Sequence, residues 1–319
     1  MTDVVALGEL LIDFTCIGSD ADGYPTMAAH PGGAPANYLA ALARFGAHTA
    51  LLGKVGEDTF GRLLIGTLRK AGVETRGIAA DAATFTTLAF VTLDSTGNRE
   101  FSFARKPGAD TCLSFEELDL SLLDEAKVLH FGTLSLTNEP ARSATRKAVE
   151  YAKAKGKLIS YDPNLRKPLW SSLEEARTQL LWGLSQADVV KISDEEVEFL
   201  FGLGPEEGAR HILSQYGVKL VFVTCGGEGC VFKNQNAEGR VPALSGITVV
   251  DTTGAGDIFG GSAMWKLLSL GKSPETLNAD ELRQVVRFAC TSAGLSTTRP
   301  GGISSVPAYS EVIRRLEEE

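Results

Sequence analysis

Histidine and cysteine are scarce, and neither is arranged as a ligand set. Four histidines occur in 319 residues, none at metal-ligand spacing, and His130, inside Val128-Leu129-His130-Phe131, reads as a buried strand residue. The five cysteines (Cys16, Cys112, Cys225, Cys230, Cys290) are odd in number and contain no Cys-x-x-Cys pair, which fits reduced thiols in the cytoplasm. No Lys/Arg block occurs and the formal net charge is -9, so a nucleic-acid surface is not expected. No apolar run approaches bilayer-spanning length. The N-terminus enters a strand pattern directly, without a basic region or cleavage site, so neither a membrane nor a secretory role is expected. Repeats, low-complexity tracts and linkers are missing too. Two common glycine motifs are also absent. A Walker loop ending at Gly271-Lys272-Ser273 would need Gly where Lys266 stands, and a dinucleotide fingerprint would need Gly at Phe259.

What remains is ordinary for a soluble enzyme, with 44% hydrophobic and 22% charged residues. Short apolar runs at Val4–Gly8, Thr49–Leu52, Val128–Phe131, Leu158–Tyr161, Val189–Ile192, Leu220–Thr224 and Ile247–Val250 predict strands. Amphipathic segments such as Ala36–Phe45, Ala141–Ala154, Glu174–Leu184 and Ala209–Tyr216 predict helices between them. That alternation predicts an α/β fold with a mostly parallel central sheet and helices on both faces. Two regions depart from it. Residues 12–31 are extended, and Phe85–Leu93 and Glu100–Ala104 flank a turn at Asp94-Ser95-Thr96-Gly97-Asn98. Together these predict a small β-sheet lid over one edge.

The stretch from Val249 to Gly261 carries the most chemistry. Ile247, Val249 and Val250 read as a buried strand, Asp251-Thr252-Thr253-Gly254-Ala255-Gly256-Asp257 as a tight turn, and the residues through Trp265 and Leu268 as a helix. Gly254 and Gly256 let successive amides converge, and the helix N-terminus adds partial positive charge, which suits a phosphate. Asp257 either caps that helix or takes a proton from a hydroxyl attacking the phosphate. In Pro31-Gly32-Gly33-Ala34-Pro35-Ala36-Asn37, the glycines admit close backbone approach and Asn37 offers a donor and an acceptor, unless the segment is simply a loop and helix cap. Asp13 ends an apolar run, where ligands sit in open α/β sheets and where strand-end turns also begin.

Gly8-Glu9-Leu10, the Gly32-Gly33…Asn37 loop, Gly53-Lys54-Val55-Gly56-Glu57-Asp58-Thr59-Phe60-Gly61 and Asp251…Asp257 occur in that order. In this the chain resembles the ribokinase-like (PfkB-type) sugar and nucleoside kinases over essentially its whole length. Asp162-Pro163-Asn164-Leu165-Arg166-Lys167-Pro168-Leu169-Trp170 and Lys191-Ile192-Ser193-Asp194-Glu195-Glu196 are most similar to fructokinases. The resemblance implies a single kinase domain over 1–319, with lid segments at about 12–31 and 85–110.

It also implies a site. Asp257 would be the base, the amides of Gly254, Ala255, Gly256 and Asp257 an anion hole, and Arg166 a phosphate contact. Asp13, Gly32, Gly33, Asn37, Asn164 and Arg105 would face the sugar; by its residue type alone, Arg105 is equally a solvated strand-end side chain. Lys191, Thr224, Gly226, Gly229, Gly254, Gly256 and Cys290 would line the ATP site, Cys290 standing where relatives often have Asn. Ser193-x-x-Glu196 matches the family's metal-associated Asn-x-x-Glu, so Glu196 would position Mg²⁺ through water, although Asp194–Glu196 also suits a charged first helical turn. Asp251, Thr253, Ser296, Arg299, Gly301 and Ser305 would hold K⁺, mostly through backbone oxygens. The implied reaction is ATP-dependent phosphorylation of fructose to fructose 6-phosphate in the cytoplasm, with a homodimer formed through the lid sheet. A 2-keto-3-deoxygluconate kinase, a nucleoside kinase and a non-catalytic scaffold or sensor are the alternatives, with a dinucleotide oxidoreductase disfavoured by the absent fingerprint. Choice of the keto-acid would rest on Arg105, because Arg166 is committed to phosphate.

Overall fold

The computed structural model describes residues 2–93 and 99–318. The strands, in chain order, are β1 (Val4–Leu7), β2 (Leu11–Ser19), β3 (Pro25–Gly32), β4 (Thr49–Gly56), β5 (Val73–Glu74), β6 (Ile78–Asp81), β7 (Leu88–Leu93), β8 (Arg99–Ala104), β9 (Val128–Gly132), β10 (Leu158–Asp162), β11 (Val189–Ser193), β12 (Leu220–Thr224), β13 (Cys230–Asn234) and β14 (Glu238–Val241). The helices are α1 (Ala34–Arg44), α2 (Thr59–Lys70), α3 (Leu120–Glu125), α4 (Ala141–Ala154), α5 (Leu173–Gln186), α6 (Asp194–Phe201), α7 (Pro205–Tyr216), α8 (Ala255–Leu270), α9 (Ala279–Ser296) and α10 (Tyr309–Glu317).

The main sheet runs β14-β13-β12-β11-β10-β9-β1-β4-β5, with β6 also paired to β4. Pairing is parallel from β12 through β4 and antiparallel at β12–β13 and β13–β14. Side chains alternate across a strand, so a sheet covered on both faces must be apolar at successive positions. In β1, Val4 and Ala6 enter one core with α1, α2, α8 and α9. Val5 and Leu7 enter the other with α4, α5, α6 and α7. Predicted and observed strands agree for six of the seven apolar runs. His130 is buried as expected, stacked on Tyr38 with ring centroids 3.6 Å apart and its Nδ1 3.0 Å from the Ser160 hydroxyl.

Ile247–Val250 is the exception. It is irregular, and Val249 and Val250 are 57% and 62% exposed. Of the run that reads as a core strand, Ile247 and Val249 line a cleft instead. Its apolar character does not signal burial, a distinction that local periodicity does not carry.

The two segments outside the βα pattern pair as expected, forming a separate four-stranded sheet ordered β3-β2-β7-β8. The turn Asp94–Asn98 lies outside the described residues. Among the described residues, no helix is long and apolar enough to cross a membrane.

Candidate active site

Two cavities lie at the C-terminal ends of the parallel strands, and the four-stranded sheet closes over the smaller one. The smaller, about 140 Å³, is lined by Glu9, Asp13, Gly33, Asn37, Asn164, Arg166 and Asp257, with Thr15, Val91 and Phe103 from the lid sheet. The larger, about 770 Å³, is lined by Lys191, Ser193, Glu196, Thr224, Gly226, Gly229, Cys290, Ile247 and Val249. Asn164, Arg166, Thr252, Gly254 and Asp257 belong to both. The two spaces therefore meet at the start of α8.

Gly254 begins α8 with φ 73°, and no side chain caps the helix. A non-glycine residue is strained at that angle. A Cβ on Gly254 would also sit 2.9 Å from Asn37 Nδ2 and 3.1 Å from Gly302 Cα. Asp257 lies in the first turn and accepts a 2.9 Å hydrogen bond from Asn37 Nδ2. Burial raises the Asp257 carboxyl above its ordinary range, opposed by the Asn37 hydrogen bond and the positive charges of Lys191 and Arg166. Asn37 thus spends a donor on orienting Asp257, and its buried Oδ1 has no partner among the described residues.

The smaller cavity is built by close backbone approach. Gly33 precedes α1 with φ 113°, and a Cβ there would meet the Glu9 carbonyl at 2.5 Å. A Cβ on Gly32 would run into the Asp13 carboxylate. Burial pushes Asp13 up to about 6, with Arg166 opposing. Asn164 holds a left-handed φ of 47°, which Asn tolerates better than most residues. Sequence reasoning assigned no role to Glu9 or Thr252. Glu9 accepts from the Ala34 N–H at 2.9 Å, fixing the α1 entry, and burial pushes its carboxyl up to about 7. Its one sequence signal is a carboxylate set between a glycine and an apolar run.

Glu196 works differently from a free carboxylate in a charged helical turn. Its Oε2 accepts from Ser193 N at 2.9 Å, closing a capping box, and its Oε1 accepts from Leu165 N at 2.7 Å. It therefore ties α6 to the loop carrying Asn164 and Arg166. Both oxygens are held by amides, so Glu196 would reach a divalent ion only through water. Among the described residues, no cluster of three or more His, Cys, Asp or Glu forms a direct metal cage.

Contrary to both expectations, Arg105 neither lines the smaller cavity nor lies in solvent. Its guanidinium is buried, with Nε 2.9 Å and Nη2 2.6 Å from Asp110 Oδ2, and further bonds to Thr137 Oγ1 and the Leu134 carbonyl. An Arg at a strand end reads as solvated until its acidic partner, five residues on, is folded against it.

Asp251 staples two loops. One oxygen accepts from Thr253 N and Oγ1 at 2.9 and 2.7 Å, the other from Gly301 N at 2.9 Å. Ser296 and Ser305 are buried nearby in sequence; Ser305 Oγ donates to the Gly302 carbonyl, and the Ser296 carbonyl accepts from Arg299 N. The Arg299 side chain pairs with Glu311.

The pfkB family carbohydrate kinase profile matches residues 1–309. Fructokinase-1 of Zea mays is 43% identical over 319 residues, covering 99% of this chain and 98% of the maize protein. The crystal structure of a fructokinase with bound ATP from Xylella fastidiosa superposes with a TM-score of 0.91 at 31% identity, covering 100% of this chain and 99% of that one. The fructokinase from Vibrio cholerae O395, solved in fructose-, ADP- and calcium-bound form, gives 0.87 at 32% identity and 99% coverage of both chains.

Proposed function

We propose, from the premise that this chain belongs to the pfkB family of carbohydrate kinases, how its cleft performs phosphoryl transfer to a sugar. The enzyme is an ATP-dependent fructokinase that converts D-fructose and ATP to fructose 6-phosphate and ADP. The observation that carries the mechanism is the shared wall: Asp257, Gly254, Thr252, Asn164 and Arg166 border both cavities. A sugar in the smaller and a nucleotide in the larger would meet at the Asp257 carboxylate and the first-turn amides of α8.

Asp257 takes the proton of the primary hydroxyl as that oxygen bonds to the γ-phosphorus. The bond from phosphorus to the β–γ bridging oxygen breaks, and its electron pair leaves on ADP. The Gly254, Ala255, Gly256 and Asp257 amides, together with Arg166, stabilise the charge on the moving phosphoryl oxygens. Asp13, Gly32, Gly33, Asn37 and Asn164 hold sugar hydroxyls. Thr224, Gly226, Gly229 and Cys290, facing Ile247 and Val249, form the nucleotide wall. Glu196 would hold a divalent cation through water, and that cation would supply positive charge to the ATP phosphates.

The acidity of the sugar cavity favours a neutral substrate. Glu9, Asp13 and Asp257 line it, Arg166 faces them, and Arg105 is committed to Asp110. A carboxylated sugar would therefore meet several carboxylates and one guanidinium. In an ADP-release assay across fructose, ribose, tagatose, adenosine and 2-keto-3-deoxygluconate, fructose is expected to give the highest kcat/KM. A clear preference for the keto-acid would contradict this reading.

The Asp251 staple gives a monovalent cation a means to act, because ordering Asp251 and Gly301 orders the turn that starts α8. Rates are expected to rise when K⁺ replaces a bulky organic cation at constant ionic strength; equal rates would remove the cation role. The lid sheet exposes Ile17 (65%), and the β2–β3 turn exposes Tyr24 (69%), the apolar surface through which two copies would pair. Five free cysteines suit a reducing compartment such as the cytoplasm.

A further inference from the structure

Lys191 projects from β11 into the floor of the nucleotide cavity, one strand away from the loop that carries Arg166. Its side chain is 14% exposed, and its Nζ lies 3.1 Å from Asp162 Oδ2, at the end of β10. Asp162 is itself buried, and its other oxygen has no hydrogen-bond partner among the described residues, so Lys191 is the cation this carboxylate holds. An ideal Cβ on Gly256 would stand 2.9 Å from Lys191 Nζ and 3.6 Å from its Cε. The ammonium thus rests against the first turn of α8, directly behind one of the anion-hole residues.

We propose that Lys191 is a positioning residue for phosphoryl transfer: aimed by Asp162, its ammonium fixes a positive charge behind the anion hole and beside Asp257, and residue 256 is glycine because that charge occupies the space a side chain would take. This rests on the reading of Asp257 as the base. Gly256 need not be glycine for backbone conformation, since its φ is not among the left-handed ones. The ammonium gives it a separate reason.

The electrostatics agree. Burial works against the Lys191 charge, but Asp162, Glu196 and Asp257 outweigh it and hold the ammonium protonated. Asp257 is faced by Lys191 from β11, Arg166 from the loop after β10 and Glu196 from α6, with Asp162 on β10 and Asp13 on β2 adding negative charge. Among these, Lys191 and Arg166 alone favour the ionised base. Removing one of the two raises the Asp257 pKa. Activity requires the deprotonated carboxylate, so the acid limb of the pH–rate profile must then move to higher pH.

The test is the pH dependence of kcat/KM for Lys191→Met, Gly256→Ala and the double variant, with fructose, ATP and Mg²⁺. Lys191→Met is expected to lower kcat about 10²-fold, the scale of losing one preorganised oxyanion partner. Its acid limb should move up by about one pH unit, with KM for fructose nearly unchanged. Gly256→Ala should shift the limb the same way, by less, because its methyl displaces the ammonium. Only the far end of a flexible side chain must yield, so this variant keeps the test open if Lys191→Met fails to fold. Because both changes act through one ammonium, the double variant should be within about twofold of Lys191→Met. Independent, multiplying losses, or an acid limb unmoved in both single variants, would overturn the proposal. The two assignments fail separately. An active Asp257→Asn enzyme sinks the base, whereas an inactive one with unmoved limbs in Lys191→Met and Gly256→Ala sinks Lys191 alone.

Discussion

Replacing Asp257 by Asn is expected to lower kcat by about 10²- to 10⁴-fold, the usual contribution of a positioned general base. The change is nearly isosteric. The Asn37 amide, now 2.9 Å from Asp257 Oδ2, can still donate to the carboxamide oxygen, and the α8 amides stay in place. Fructose affinity by calorimetry and ADP affinity should therefore stay close to wild type, which places the loss in the transition state. The wild-type rate should fall as pH drops through a pKa above the ordinary carboxylate range, because burial raises the Asp257 carboxyl. That acid limb should vanish from the residual activity of the Asn variant. A variant retaining more than about a tenth of wild-type kcat would show that Asp257 only shapes the helix start.

Replacing Arg105 by Ala is expected to cost about 3–5 kcal/mol of stability, the scale for leaving one partner of a buried ion pair alone. Asp110 is 5% exposed and would lose the guanidinium that now binds it twice. Thr87 Oγ1, also on Asp110 at 2.5 Å, is the other group left to it. For a chain of this size the loss corresponds to roughly 5–10 °C in Tm. Replacing both Arg105 and Asp110 with apolar residues should recover part of it, because no buried polar partner is then left alone. The fructose to 2-keto-3-deoxygluconate ratio should not change. A stable Arg105→Ala enzyme with altered sugar preference would contradict the buried-pair account.

These two residues mark what can be read from sequence. Asp257 is legible because its evidence is local: two glycines, a helix start and a carboxylate lie within four residues. The parallel sheet is legible for a related reason, since strands buried on both faces are apolar at every position, as β1 is. Arg105 is not legible, because its environment depends on where Asp110, Thr137 and Leu134 fold. Ile247–Val250 misleads because a cavity wall can be as apolar as a core. Glu196 stands out in the sequence within a charged helical turn, but its tie to Leu165 N spans 31 positions and emerges only when β10 and β11 are side by side. The same adjacency creates the Asp162–Lys191 pair behind Gly256.

The most direct test of the central claim is a crystal structure of Asp257→Asn soaked with fructose, ATP and Mg²⁺, a variant expected to hold both substrates without turning them over. The account predicts fructose in the cavity lined by Asp13, Gly33 and Asn37, its primary hydroxyl within hydrogen-bond distance of residue 257. The γ-phosphate should lie against the first-turn amides of α8, in line with that hydroxyl. Fructose bound with its primary hydroxyl turned away from residue 257, or a γ-phosphate held elsewhere in the larger cavity, would contradict it.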